Sequence, residues 1–222
     1  MENVKKYYRK LYNKHGYSPK SLGWDKGKQF LRFHQLTSDF DLNNSSFLDV
    51  GCGFGDFVKY LNYNKINDFK YTGVDMMTEF INEAKKLHSS ENIQFVNSNF
   101  LELDIAHMFD YGIASGIFNV SVEGVNGYEN IETNLTKMFK HCSKAVSIDL
   151  LSNRVDYTHI HNFNSDPIKI LEMAYGLSKS VVLKNNYFPF EFSVTIYKDD
   201  SFRKETTIFS KLEEVFSWLG NK

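Results

Sequence analysis

Three alternating glycines, Gly51, Gly53 and Gly55, follow directly after the apolar run at 47–50. The run predicts a buried strand, and the segment 56–63 predicts a helix. Glycines let a backbone turn tightly and let a ligand lie against it without side chains in the way. The first turn of the helix would also present N–H groups that have no partner within the helix. The order of strand, glycine turn and helix therefore predicts a site for a nucleotide-type cofactor.

The spacing within residues 51–55, which we call the glycine loop, bears on the kind of cofactor. A dinucleotide fingerprint has the pattern G-x-G-x-x-G, whose third glycine allows close packing of the helix. Here the third position is Asp56, and the glycine lies one residue earlier, at Gly55. Asp49 precedes the loop by two residues, and a carboxylate there suits a cationic ligand better than a pyrophosphate. A nicotinamide-dependent oxidoreductase is therefore an alternative that lacks its expected spacing.

Length, charge and composition limit the class of protein. The 222 residues fit one domain, and 42% hydrophobic residues are ample for a core. Lys+Arg 26 against Asp+Glu 27 gives a net charge of −1. The sequence shows no basic stripe interleaved with aromatic residues, which argues against a nucleic-acid partner. Two cysteines make no disulfide framework, and no stretch approaches the roughly 18 apolar residues of a membrane span. We therefore expect a cytoplasmic protein without a nucleic-acid or membrane partner.

Hydrophobic periodicity predicts that strands and helices alternate along the chain. Strands are expected at 47–50, 70–75, 93–96, 109–115, 145–151, 181–187 and 192–197, and helices at 1–15, 25–37, 56–63, 78–88, 128–142 and 167–176. Such alternation indicates a mainly parallel sheet with helices on both faces. The last two strands are joined by a short loop that holds Pro189, so they are expected to be antiparallel. The predicted fold is α/β, a Rossmann-like seven-stranded, mostly parallel sheet with an antiparallel last strand.

We predict a single domain, 1–222, built from three parts. An N-terminal helical cap or lid covers 1–40, the cofactor-binding core covers 46–198, and a C-terminal helical tail covers 199–222. The tail has apolar residues at helical spacing, and its helix is expected either to pack on its own domain or to form a homodimer contact. These residues are Ile208, Leu212, Val215, Phe216 and Leu219.

The motif Asp-Val-Gly-Cys-Gly-x-Gly at 49–55 resembles the first motif of class I S-adenosylmethionine-dependent methyltransferases, and the resemblance covers roughly 47–198. His-Gly-Tyr-Ser-Pro-Lys at 15–20 and Ser-Gly-Ile-Phe-Asn-Val at 115–120 look like a small bacterial group of these enzymes whose acceptor is uncertain. The resemblance implies S-adenosyl-L-methionine as cofactor, with the loop backbone against its methionyl part and the acid before the loop near its ammonium end. These roles fall on Asp49, Gly51, Cys52, Gly53 and Gly55.

The next two strands carry further matches to the family. Asp75 stands where the family places an acid that binds both ribose hydroxyls, and a carboxylate can accept two such donors. A charge that favours a helix N-terminus is the alternative for Asp75. Met76 stands where an apolar residue meets the adenine face. Asn99 replaces an acid that accepts from the adenine amino group, and Phe100 is expected either to flank the base or to belong to the core.

Ser115 ends the fourth strand, at the face where the resemblance places the transferable methyl group. Family members that methylate nucleobase amines carry an Asn/Asp-Pro-Pro-aromatic motif there, and 115–120 has no proline. The predicted function is therefore transfer of a methyl group to an O or N atom of a small polar molecule, such as a sugar or glycan precursor. A non-catalytic S-adenosylmethionine-binding protein is a further alternative, because the sequence identifies no obligatory base.

His159 and His161 are the predicted catalytic residues, because a hydroxyl or ammonium acceptor must lose a proton and histidine is the usual agent. The alternative is that both are ordinary surface or core histidines. No metal site is predicted, because their spacing fits no metal motif and Mg²⁺ prefers oxygen ligands. Further candidates for the acceptor pocket are Asn119, Tyr128 and Tyr157.

Tyr17 and Trp24 are lid candidates, since they lie in a segment rich in glycine and aromatic residues ahead of the core. A lid would exclude water from the site of methyl transfer. A helical cap packed on the sheet is the alternative. We also expect Lys28 or Arg32 to reach the carboxylate of the cofactor.

Overall fold

A seven-stranded sheet forms the centre of the structure, a computed structural model that describes residues 2–23, 28–121 and 124–198. The strands are β1 (Ser46–Val50), β2 (Lys70–Asp75), β3 (Ile93–Asn97), β4 (Phe109–Ala114), β5 (Cys142–Leu151), β6 (Val181–Lys184) and β7 (Glu191–Tyr197). Their order in the sheet is β3-β2-β1-β4-β5-β7-β6. Neighbours among β1 to β5 pair in parallel, and β7 is antiparallel to both β5 and β6. The predicted Rossmann-like sheet with an antiparallel last strand is confirmed.

Helices cover both faces of this sheet, as predicted. They are α1 (Glu2–His15), α2 (Gln29–Thr37), α3 (Asp56–Tyr63), α4 (Thr78–Leu87), α5 (Gly127–Lys140) and α6 (Pro167–Leu177). The apolar sides of α2, α3 and α4 share one core cluster, in which Phe33, Phe57 and Ile81 are buried. The apolar sides of α5 and α6 share the cluster on the other face. None of the helices in the described ranges combines the length and the apolar character that a membrane crossing needs.

Strand β1, which precedes the glycine loop, pairs in parallel with β2 and β4, so the carboxyl ends of all three strands lie at one edge of the sheet. Phe47 and Leu48 point to opposite faces and are both fully buried, as expected for a parallel strand covered on both sides. Val50 pairs with Val74 of β2, and Asp49 pairs with Ile113 of β4. The polar residues at the carboxyl ends of β1, β2 and β4 are therefore brought to the same edge of the sheet.

Several element boundaries differ from the prediction, and those of β6, β5 and α5 shift by two or more residues. Strand β6 ends at Lys184, so Tyr187 lies in the connection with Pro189 and not in the strand. Strand β5 begins at Cys142, because the sheet pairing with Phe109 extends it toward its start. Helix α5 accordingly ends at Lys140, two residues earlier than expected.

The predicted N-terminal cap at 1–40 consists of two differently placed pieces. Helix α1 and the short 3-10 turn Pro19–Leu22 pack against the glycine loop and α4, through contacts of Tyr8 and Tyr12 with Phe80. Helix α2 instead lies on the sheet, where it contacts α3, β5 and β7. The C-terminal tail at 199–222 and its predicted dimer contact lie outside the described residues.

A buried ion pair attaches α2 to β7. The Arg32 guanidinium donates through Nε to Glu191 Oε2 at 2.8 Å and through Nη2 to Glu191 Oε1. The two side chains are 7% and 0% exposed. Arg32 therefore attaches α2 to the sheet. It does not line the cavity described below, so the structure does not place it where the expected contact with a cofactor carboxylate would be.

We expect Glu191→Gln to lower the free energy of unfolding by about 3 kcal/mol or more, because it removes the counter-charge of a buried guanidinium. The matched control is Glu79→Gln, which removes the partner of Arg9 in an exposed pair with a 2.8 Å contact. That change should have a much smaller effect, since exposed ion pairs contribute little. Urea unfolding measures both, and equal losses in the two variants would contradict a stabilising role for the buried pair.

Candidate functional site

A cavity of about 170 Å³ lies at the carboxyl edge of the parallel strands, between α1, the start of α2 and α5. Ligands of open α/β sheets bind in this position. Nine of the ten predicted cofactor-binding residues line the cavity: Asp49, Gly51, Cys52, Gly53, Asp75, Met76, Asn99, Phe100 and Ser115. Gly55 does not line it. The motif and the family matches after the later strands therefore predicted residues that line a single cavity.

The glycines of the loop are required for two different reasons. Gly51 has φ +73°, and a Cβ atom there would lie 2.0 Å from Ile117 Cγ2, at the cavity wall. Gly55 has φ +76° and precedes α3 as its N-cap, and its missing Cβ leaves room for the rings of Phe95 and His88. Gly51 thus lets Ile117 of the cavity wall lie against the loop backbone, whereas Gly55 lets the start of α3 pack against Phe95 and His88.

Asp75 fixes the glycine loop to the end of β2. Its Oδ2 accepts the Gly53 N–H at 3.0 Å, and its Oδ1 accepts the Met77 N–H at 2.8 Å. Burial raises the pKa of Asp75 to about 6, although these backbone donors oppose the shift. Each oxygen has a further lone pair, so the carboxylate can still accept two donors. Met77 is the N-cap of α4, so Asp75 also lies at a helix start, as its alternative role requires.

Asp49 is a buried carboxyl group at the end of β1, with 3% of its surface exposed. The Tyr71 hydroxyl donates to Asp49 Oδ2 at 2.7 Å. Burial raises the pKa of Asp49 to about 7, and the Tyr71 hydrogen bond opposes this shift. Burial also raises the pKa of the neighbouring Cys52 thiol, which favours its neutral form. A cationic group beside Asp49 would favour its charged form.

Asn99, which follows β3, is held by hydrogen bonds within the turn that it starts. Asn99 Oδ1 accepts the Leu101 N–H at 3.2 Å, and Asn99 Nδ2 donates to Glu102 Oε1 at 2.8 Å. Asn99 thereby caps the 3-10 turn Phe100–Glu102. Phe100 is 5% exposed and belongs to a core cluster, and it also lines the cavity, so its core role is observed and its contact with the base stays a prediction.

Ser115, at the end of β4, belongs to a hydrogen-bond chain that the sequence did not reveal. Its hydroxyl donates to Asp149 Oδ2 at 2.6 Å and accepts from Gln29 Nε2 at 3.2 Å. Asp149 Oδ1 accepts the Gly116 N–H at 2.8 Å. Burial raises the pKa of Asp149 to about 7, with a further increase from Glu191 and an opposing effect from Arg32. An acid within the apolar strand Val-Ser-Ile-Asp-Leu-Leu was the available signal.

The two candidate catalytic histidines do not line the cavity. His159 and His161 are exposed and belong to the loop between β5 and α6. Tyr157, on the same loop, is 77% exposed and contacts the His159 ring edge-to-face. None of the three lines the cavity. Their catalytic and acceptor-binding roles stay predictions, and the structure brings none of them to the wall marked by the motif.

The remaining candidates stabilise loops near the site. Asn119 is 6% exposed, and its Oδ1 accepts the Leu151 N–H at 2.8 Å. The Tyr128 hydroxyl accepts the Asp166 N–H at 3.0 Å at the start of α6. Tyr17 is 46% exposed and packs edge-to-face on Phe54 of the glycine loop. None of these lines the cavity.

Trp24, the second lid candidate, lies outside the described residues. Within the part of the chain that the structure describes, no three His, Cys, Asp or Glu side chains are placed together so that they could hold a metal ion.

Comparison with known proteins decides the family. A family model described as a methyltransferase domain matches residues 41–178, more than half of the chain. The chain belongs to the class I S-adenosylmethionine-dependent methyltransferases. Its predicted cofactor, S-adenosyl-L-methionine, is the methyl donor of this family.

Relatives cover most of this methyltransferase. The Mycobacterium tuberculosis protein Rv1506c, named as a candidate methyltransferase, is 27% identical over 176 residues, which are 76% of this chain and 99% of the relative. Magnesium protoporphyrin IX methyltransferase from Synechocystis PCC 6803, solved with bound SAH, has a TM-score of 0.63 and 11% identity, with 89% of this chain and 95% of that chain covered. The DhpI-SAM-HEP complex has a TM-score of 0.66 and 12% identity, with 87% and 95% covered. At such identities the two structures show the fold alone.

The cavity wall of the methyltransferase fits its cofactor chemically. Asp49 and Asp75 are acceptors that suit an ammonium group and ribose hydroxyls. Met76, Phe100 and Ile117 supply apolar surface for a planar base. The absent side chain at Gly51 leaves room for Ile117 against the loop backbone.

We expect Asp75→Asn to reduce the affinity for S-adenosylhomocysteine by at least about tenfold, because an amide offers one acceptor oxygen in place of two. Titration calorimetry measures this affinity. Asp68→Asn is the matched control, since Asp68 is exposed ahead of β2 and has φ 53°, which asparagine tolerates. An unchanged affinity in Asp75→Asn would exclude the assigned position of the cofactor ribose.

The affinity for S-adenosylmethionine should decrease as the pH falls from 8 to 5.5. Burial raises the pKa of Asp49 to about 7 and that of Asp75 to about 6, so both are carboxylates at pH 8 and become protonated over this range. Below each pKa a proton must leave before the donor group binds, which costs about tenfold in affinity per pH unit and per group. Calorimetry across this range, with circular dichroism as a control for folding, measures the effect. An affinity independent of pH would contradict binding to the charged carboxylates.

Proposed function

We propose that this methyltransferase transfers a methyl group to an O or N atom of a small polar molecule. The observation that carries the proposal is the cover over the cavity. Val4 and Tyr8 of α1, Leu22 of the 3-10 turn and Gln29 of α2 all line the cavity from its N-terminal side. A covered cavity favours a small acceptor, because a macromolecular acceptor needs an open surface beside the reacting methyl group.

The chemistry of the wall supports a polar acceptor. Asn130 and Asn134 of α5 line the cavity together with Ser115 and Gln29. Asn134 Nδ2 donates to Asn130 O at 2.8 Å, which fixes its amide orientation. Neutral amides and hydroxyls can both donate and accept, so they suit a ligand that carries hydroxyl or amine groups. A sugar or glycan precursor is an acceptor of this chemistry.

The protein contributes positioning more than reactivity. Bound S-adenosylmethionine supplies a methyl group already activated by its sulfonium. Well-oriented reactants gain at best about 7–11 kcal/mol from being held in line. Asp49, Asp75 and the glycine loop orient the donor, and the helical cover keeps water from the site. One structural relative, by its name, methylates magnesium protoporphyrin IX, which is also a small molecule.

The alternatives differ in what they predict for the same assay. Membership in the methyltransferase family removes the nicotinamide-dependent oxidoreductase. A binding protein without catalysis would retain affinity for S-adenosylmethionine and show no turnover with any acceptor.

We expect the purified protein to release S-adenosylhomocysteine when it is given S-adenosylmethionine and a suitable member of a panel of sugars, nucleotide sugars, and small hydroxy and amino acids. Mass spectrometry of the acceptor should show a gain of one methyl group. Asp75→Asn is the control that loses the signal if turnover depends on this cavity. Turnover with RNA or protein but with no small acceptor would contradict the proposal, and intact cofactor binding without any turnover would indicate the non-catalytic alternative.

A further inference from the structure

Ser115 is the point at which the hydrogen-bond chain reaches the cavity. A serine hydroxyl has one hydrogen to donate and two lone pairs that accept. The Ser115 hydrogen is directed to Asp149 Oδ2 at 2.6 Å, and one lone pair accepts from Gln29 Nε2 at 3.2 Å. The second lone pair remains for a donor in the cavity, which Ser115 lines.

Resting on the proposed function, we propose that the acceptor donates its reactive O–H or N–H to Ser115 Oγ and that Asp149 receives the proton through Ser115. Ser115 would then touch the acceptor, and Asp149 would be the positioning residue behind it. This assignment replaces the exposed histidines with groups that the structure connects to the cavity wall.

The surroundings of Asp149 are suited to accepting a proton. The side chain is fully buried at the end of β5, and Gly116 N–H holds its second oxygen at 2.8 Å. The charged and titratable groups around it are Glu191 on β7, Arg32 on α2 and Tyr187 in the connection before β7. Arg32 pairs directly with Glu191, and its positive charge also opposes the increase in the pKa of Asp149. Burial raises the pKa of Asp149 and so favours uptake of a proton, although the hydrogen bonds from Ser115 and Gly116 oppose this increase.

The step balances in atoms and charge. The acceptor oxygen or nitrogen forms a bond to the methyl carbon while the bond between that carbon and the sulfonium sulfur breaks. The electron pair of the broken bond stays on sulfur, which becomes a neutral thioether. The acceptor proton moves to Ser115 Oγ as the Ser115 hydroxyl proton moves to Asp149 Oδ2. One cation and one carboxylate are consumed, and a neutral carboxylic acid results.

Gln29 identifies a second feature of the acceptor. Its Nε2 is directed to Ser115, and its Oε1 is buried and has no hydrogen-bond partner within the described residues. A buried acceptor without a donor is costly, and a ligand that supplies one removes the cost. Gln29 also lines the cavity, so the expected acceptor carries a second donor beside the reactive one, as a vicinal diol or a primary amine does.

The test compares wild type, Asp149→Asn, Ser115→Ala and Ser115→Thr with the acceptor found in the panel above, and with glucose and ethanolamine as fixed probes. The wild-type kcat, measured at saturating S-adenosylmethionine at every pH, should rise with pH through an apparent pKa near 7, since the Asp149 carboxylate is the form that accepts. Asp149→Asn and Ser115→Ala should lower kcat by about 100- to 10,000-fold and remove the rise, whereas Ser115→Thr keeps a hydroxyl and most of the rate. Affinity for S-adenosylhomocysteine should change by less than about threefold in each variant.

Asp110→Asn is the matched control. Asp110 lies near the other end of β4 and accepts from the N–H and hydroxyl of Ser46, each at 2.8 Å. The Asp110→Asn substitution removes a contact between a serine hydroxyl and a carboxylate of neighbouring strands, as Asp149→Asn does, but far from the cavity. We therefore expect kcat to stay unchanged. An Asp149→Asn variant that keeps both the wild-type kcat and its pH profile overturns the proposal.

A second measurement needs no acceptor. Carbonyl-labelled aspartate NMR should show a carboxyl resonance that titrates near pH 7, disappears in Asp149→Asn and shifts to a higher midpoint in Ser115→Ala. A midpoint below pH 5, or one unaffected by Ser115→Ala, overturns the inference. Absence of turnover by the wild type with every acceptor instead overturns the proposed function, and the resonance still decides whether Asp149 and Ser115 are coupled.

Discussion

The burial of carboxyl groups at one edge of the sheet is the constraint on which the site depends. Asp49, Asp75 and Asp149 lie within the last three residues of β1, β2 and β5, and burial raises the pKa of each. A carboxylate taken out of water must receive hydrogen bonds to remain charged. The Tyr71 hydroxyl, the Gly53 N–H and the Ser115 hydroxyl supply them. Asp75, which lines the cavity, therefore holds the glycine loop, and Asp149, behind Ser115, holds the end of β4.

These acids differ from the fourth buried carboxylate, Glu191. Arg32 meets both oxygens of Glu191, which leaves that side chain neutralised and structural. Asp49, Asp75 and Asp149 instead receive hydrogen bonds from neutral donors of the described residues, which leave part of their accepting capacity. A ligand with a positive charge and hydroxyl groups suits Asp49 and Asp75, and in the proposed step an exchangeable proton reaches Asp149 through Ser115. A methyl donor with an ammonium group and a ribose, together with a hydroxyl or amine acceptor, has this set of groups.

The sequence predicted the parts of the fold that depend on local patterns. The extents of β2 and α3 were predicted to the residue. The motif at 49–55 and the family matches after the next strands located the cavity wall from Asp49 to Ser115. The hydrogen-bond chain was missed because its members are distant in sequence: Gln29 lies 86 residues from Ser115, and Ser115 lies 34 residues from Asp149. His159 and His161 were selected for their proton chemistry alone, and nothing in a loop sequence indicates which way the loop is directed.

The two pieces of the N-terminal cap are held by interactions of unequal strength, and this difference bears on how a ligand reaches the cavity. Helix α2 is attached through the buried pair of Arg32 with Glu191, and breaking such a pair is strongly unfavourable. Helix α1 has no buried residue, and its polar contacts to α4 join Arg9 with Glu79 and Tyr12 with Glu83 at the exposed side. Separating α1 from the core therefore exposes less apolar surface and breaks weaker contacts than moving α2. Since both helices line the cavity, the side covered by α1 is the less costly route for donor and acceptor.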